Sequence, residues 1–148
     1  MTTPLQIVIP GEPKSERKRQ RILRTKSGGS IIGSRTDEPD RADFKSRCAL
    51  FAAQVVARPL SGPLCVTIIV QRERPKSAPK RPTKGCPWPD HWTQKPDCDN
   101  FAKIVGDALT GIVWLDDAQI TDLMVLKRWG VPQVTVEVQQ IVTETEAA

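Results

Sequence analysis

One histidine, four cysteines with no CxxC pair, and no apolar run long enough to cross a bilayer define what this 148-residue chain lacks. With a single imidazole, any Ser-His-Asp or Cys-His nucleophile would have to be built around His91, and nothing near it in sequence supports one. Cys48, Cys65, Cys86 and Cys98 are scattered and read as free thiols rather than a disulfide framework. A zinc set from Cys86, His91 and Cys98 matches no standard finger spacing, and its fourth ligand would have to be Asp, Cys48 or Cys65. The missing hydrophobic span argues against a membrane partner, and Met1-Thr2-Thr3-Pro4 does not open a signal peptide, so a soluble cytoplasmic protein is expected. Internal repeats and extended low-complexity tracts are absent as well.

The length fits a single domain, residues 1–148, with enough chain to bury a core. Lys and Arg number 22 against 17 Asp and Glu, a net charge of +5 that favours a polyanionic partner. Its distribution is more informative than its size. Lys14, Arg17, Lys18, Arg19, Arg21, Arg24 and Lys26 crowd one segment, and Arg72, Arg74, Lys76, Lys80, Arg81 and Lys84 another. Five aspartates gather in a third, between residues 97 and 117.

Read in order, Leu5, Ile7 and Ile9 alternate as a short strand stopped by Pro10-Gly11. A flexible basic loop over about 14–30 follows, with Ile31 and Ile32 beginning a return strand. Residues 38–57 carry Phe44, Cys48, Phe51, Ala52 and Val55 at helical spacing. Leu64 to Val70 forms a strand apolar on both faces, which points to cover on both sides. Six prolines between Pro75 and Pro96 forbid a regular element, leaving a second basic loop over about 74–96 that holds Trp88 and Trp92. A helix over about 99–110 buries Phe101, Ile104, Val105, Ala108 and Leu109, and Gly111 ends it. Ile120 to Trp129 reads as a strand, Gly130-Val131-Pro132 as a turn, and Val134 to Val138 as its hairpin partner, before a frayed tail at about 143–148.

The aspartates sit around that last helix. Asp97 and Asp99 precede or open it, Asp99, Lys103 and Asp107 share its polar face, and Asp116-Asp117 follow it. Each has a plain reading: Asp99 caps the helix, Asp97 is solvated, Lys103 pairs with Asp99 or Asp107, and Asp116-Asp117 is a turn. Together they form an all-oxygen donor set beside a cation, which suits a hard ion such as Mg²⁺ and a phosphodiester substrate. Asn100 would orient a carboxylate or touch a phosphate.

Asp97-x-Asp99-Asn100-x-x-Lys103, Asp107-Ala108-Leu109 and Trp114-x-Asp116-Asp117-Ala118-Gln119 resemble the RusA family of Holliday-junction resolvases. The resemblance implies a small α/β (α+β) homodimer, a mixed sheet packed with two main helices, that binds four-way DNA junctions and nicks two symmetric strands. It implies Mg²⁺, with Mn²⁺ as a substitute and no small-molecule cofactor, and a bacterial or phage-encoded origin. Asp97, Asp99 and Asp117 match the family's metal-binding carboxylates and Lys103 its essential lysine, leaving Asn100, Asp107 and Asp116 around them. Lys14, Arg17, Lys18, Arg19, Arg21, Arg24 and Lys95 are then expected to grip DNA. The remaining alternatives are a nuclease for flaps or forks and a catalytically silent DNA-binding protein.

Overall fold

A computed structural model describes residues 3–15, 20–34 and 39–142, with residues 20–24 and 30–34 described by their backbone alone. Arg17, Lys18, Arg19 and the tail from Thr143 lie outside the described residues, as do the side chains of Arg21 and Arg24. The strands are β1 (Leu5–Pro10), β2 (Gln20–Arg24), β3 (Ser30–Ser34), β4 (Leu64–Arg72), β5 (Ile120–Trp129) and β6 (Gln133–Gln140), with helices α1 (Pro39–Val55) and α2 (Cys98–Leu109). β2 and β3 pair as an antiparallel hairpin, so the return strand at Ile31-Ile32 forms, while Gln20–Arg24, expected within a flexible loop, is its partner strand because the Thr25–Gly29 turn brings the two segments together. The remaining four make one mixed sheet in the order β1-β6-β4-β5.

This order corrects one expectation. β5 and β6 are not hairpin partners, because β4 lies between them, parallel to β5 and antiparallel to β6. The reason lies in β4 itself. Its run Leu64-Cys65-Val66-Thr67-Ile68-Ile69-Val70 is the most continuously apolar strand of the chain and takes an interior position, with hydrogen-bonded neighbours on both edges. The short link Gly130–Pro132 therefore steps across the end of β4, where the Gly130 amide donates to the Arg72 carbonyl at 2.8 Å. A side chain at Gly130 would meet the Gln71 amide, so this crossing favours glycine.

One face of the sheet carries the core. Ile7, Ile9, Leu64, Val66, Ile68, Val70, Val134, Val136 and Val138 are buried there with Phe44, Cys48 and Ala52 of α1 and Phe101, Ile104, Val105 and Leu109 of α2. Val55, expected on the α1 stripe, is instead exposed. Burial pushes the Cys48 thiol up to about 12, so it is a packing residue and not a nucleophile. On the other face Cys65, Thr67 and Ile69 are only half-buried, and Val8 and Met124 stay 42% and 58% exposed.

The Pro-rich stretch between β4 and α2 is irregular, as its prolines require, but its end is packed. Trp92, read from sequence only as a loop aromatic, is 2% exposed and belongs to the core. It meets Phe101 edge-to-face with centroids 5.8 Å apart, lies 6.0 Å from Trp129, and donates its Nε1–H to the Arg128 carbonyl at 3.0 Å. Arg72 and Lys127 place their cations over its ring at 4.8 and 4.3 Å. Trp92→Ala is therefore expected to destabilise the protein by about 3–5 kcal/mol, as truncation of a buried aromatic does. Chemical denaturation measures this, and an unchanged midpoint would remove Trp92 from the core.

Candidate active site

The start of α2 is set by the strand beside it. Residues 90–98 run along the outer edge of β5 in the opposite direction, tied to it at successive points. The Trp129 amide donates to the Asp90 carbonyl at 3.0 Å, and Trp92 reaches the Arg128 carbonyl. Lys127 Nζ donates to the Gln94 and Pro96 carbonyls at 2.9 and 3.0 Å, and Cys98 Sγ reaches the Val125 carbonyl at 3.7 Å. Lys127 thus spends its charge on the backbone that leads directly into Asp97. Sequence reasoning missed it; the only signal was the Lys127-Arg128 pair near the end of a largely apolar strand.

The N-cap of α2 falls on Asp97, not Asp99. Asp97 has extended backbone, φ −75° and ψ 158°, and its carboxylate makes no cap hydrogen bond. An aspartate in this position ordinarily spends its side chain on the orphan amides of the first turn. Here that carboxylate points to solvent chemistry instead, and Asp99 in the first turn is exposed with it. Both stand at the N-terminal, positive end of the helix dipole. Asn100 is half-buried next to them, and Lys103 and Asp107 follow on the exposed face. Among the described residues Lys103 forms no ion pair with Asp99 or Asp107, so the plain helix-pair reading finds no support.

The return of the chain brings Asp117 to Lys103. Gly111, at φ +89°, turns the backbone out of α2, and its amide donates to the Trp114 carbonyl. Trp114 is fully buried, with its indole N–H on Thr110 Oγ1 at 3.1 Å. A single 3₁₀ turn, Asp117–Gln119, follows. Its cap separates the two neighbouring aspartates. Asp116 Oδ1 accepts the Ala118 amide at 2.9 Å, while Gln119 accepts the Leu115 and Asp116 amides and donates to the carbonyls of Leu60 and Gly62. Asp116 is thus engaged in holding the turn, and Asp117 lines a cavity of about 240 Å³ together with Lys103, Ala102, Gly106 and Trp114.

No three His, Cys, Asp or Glu side chains among the described residues stand close enough to make a complete metal cage. Cys86, His91 and Cys98 therefore form no zinc set, and the carboxylates do not close on themselves. The carboxylate oxygens of Asp97, Asp99 and Asp117 are the hard donors that Mg²⁺ takes, but the three are not gathered into one metal-binding group. Of the residues expected to bind DNA, Lys14 and Lys95 line a second cavity, of about 290 Å³, with Arg41 and Arg72, which sequence reasoning had not singled out for binding.

The chain matches the family model described as endodeoxyribonuclease RusA over residues 10–139. It is also 31% identical over 150 residues to the uncharacterized protein YqaN of Bacillus subtilis (strain 168), covering 93% of this chain and 96% of that relative. The family match takes in β4, β5, nearly all of β6, both helices and every aspartate of the site, and the chain belongs to the RusA endodeoxyribonuclease family.

Proposed function

We propose that the protein is a divalent-metal-dependent endonuclease that resolves four-way DNA junctions by paired symmetric nicks. The observation that carries this reading is the divergent use of its aspartates: Asp116 accepts a cap hydrogen bond, whereas the carboxylates of Asp97, Asp99 and Asp117 make no hydrogen bond or ion pair among the described residues, and Asp117 shares a cavity with Lys103. Asp97, Asp99 and Asp117 would hold Mg²⁺, with Mn²⁺ as a substitute. The ion's contribution when bound is charge, polarising the phosphoryl group and lowering the pKa of water. Lys103 holds the non-bridging oxygens, where negative charge builds during displacement, and the cavity wall of Ala102, Gly106 and Trp114 keeps that side dry. Asn100 and Asp107 flank the set, and Lys14, Arg17, Lys18, Arg19, Arg21, Arg24 and Lys95 attract the DNA backbone.

Asp97→Asn and Asp99→Asn are each expected to lower junction cleavage by about 10²-fold or more. Both sites are exposed, so unfolding midpoints should not move. Junction binding should hold or tighten, since removing a carboxylate lowers repulsion of phosphate. Cleavage assays with saturating Mg²⁺, run beside binding titrations, check this. Undiminished cutting in either variant would contradict the assignment. If the wild type binds junctions and cuts nothing, the silent DNA-binding reading holds; if it cuts flaps or forks in preference, the branched-DNA reading holds.

The paired cut calls for a two-fold dimer, because opposed junction strands are related by an approximate dyad and each subunit supplies one acidic set. The sheet face bearing Val8, Cys65, Thr67, Ile69 and Met124 is the surface we assign to a second copy, since both helices pack on the opposite face. Sedimentation at micromolar concentration should give twice the monomer mass, and Met124→Asp should shift it toward monomer. A monomeric wild type, with and without junction DNA, would exclude paired nicking.

A further inference from the structure

The second cavity flanks the carboxylates and is built from four separate parts of the chain. Lys14 follows β1, Asp40 and Arg41 open α1, Arg72 ends β4, and Lys95 and Pro96 end the Pro-rich stretch. Four cations thus face one carboxylate across about 290 Å³. Arg72 is already paired with Glu12, and Lys14 and Lys95 add further positive charge to the same wall, which suits an anion and repels an apolar ligand.

The two arginines are held in place before any ligand arrives. Arg72 lies against the rings of Trp92 and Phe101 at 4.8 and 5.8 Å, with its Nε 3.4 Å from Glu12. Arg41 is only 9% exposed, at the first turn of a long helix whose dipole adds positive potential. A planar guanidinium fixed by packing suits the paired oxygens of a phosphate, whereas Lys14 and Lys95 bring adaptable point charge. Among the described residues Asp40 is the one carboxylate on the same wall.

Chain continuity selects the kind of anion. Pro96, on the cavity wall, is followed at once by Asp97, so Lys95 and Asp97 are separated by at most about 7 Å of backbone. One strand of DNA advances about 3.4 Å per phosphate along its axis. We propose that the cavity is a socket for one backbone phosphate of the cleaved strand, one or two nucleotides from the cut. It sets the strand's register against the carboxylates without reading a base. The socket rests on the nuclease reading above.

The test uses synthetic four-way junctions whose cut is first mapped in Mg²⁺. A single neutral methylphosphonate then replaces each of the three linkages on either side of that cut. Binding in EDTA is compared between the wild type and Lys14→Gln/Lys95→Gln, whose substituted side chains lie outside the core. Unfolding midpoints confirm that the double variant folds. In the wild type one linkage within two nucleotides of the cut should, when neutralised, weaken binding about tenfold. In the double variant the same neutralisation should change binding less than twofold, while other linkages keep their effects. A variant that binds more weakly yet keeps the full effect at every linkage overturns the socket, as does a wild type with no such linkage. Both results leave cleavage, and so the nuclease reading, standing. A wild type that neither binds nor cuts junctions overturns both.

Discussion

The fastening of residues 90–98 to the edge of β5 is the constraint on which the site depends. α2 begins where that segment ends, so the position of Asp97 is only as fixed as the backbone before it. Lys127 fixes it twice, donating to the carbonyls of Gln94 and Pro96 while its ammonium lies over Trp92. Trp92 in turn is locked by Phe101, from the first turn of α2, and by the Arg128 carbonyl. Core packing and carboxylate position are thus one arrangement. The same segment covers the outer edge of β5 from Val125 to Trp129, an edge that would otherwise present unpaired backbone groups.

Charge is organised on a similar logic. A basic protein exposes Asp97 and Asp99 at the start of α2 and Asp116 and Asp117 after its end, with Lys103 on the helix between them. The carboxylates do not assemble a closed metal cage among the described residues. On the reading proposed above, Asp97, Asp99 and Asp117 would hold a divalent ion and Lys103 would meet the phosphate beside it. Such a site is complete only when ion and strand are both in place, which ties chemistry to correct placement of the strand.

The sequence carried the apolar stripe of α2 and the shared face of Asp99, Lys103 and Asp107, because helical periodicity is local and strong. β1 and β4 were readable for the same reason. Long-range choices were not. A three-residue link after Trp129 looks like a hairpin turn, and only competition for the interior position tells that β4 displaces β6 from β5. Trp92 sat among prolines and cations, with nothing local to mark it as core. Which aspartate caps and which is left open was also hidden, since Asp97 against Asp99 and Asp116 against Asp117 differ by where each turn closes. Arg41 carried no signal in its helix, and Arg72 counted only as one member of a basic run, until the fold placed them on one cavity.

The central claim is that the carboxylates of Asp97, Asp99 and Asp117 would hold a divalent metal that acts together with the junction phosphate, and linkage tests it directly. Junction affinity is measured at constant ionic strength in Ca²⁺, a cation that takes oxygen ligands, and in EDTA, for the wild type and Asp97→Asn. The account predicts that Ca²⁺ tightens wild-type binding by about 5- to 150-fold, and that most of this gain is lost in Asp97→Asn. Equal affinity of the wild type in Ca²⁺ and EDTA would contradict it.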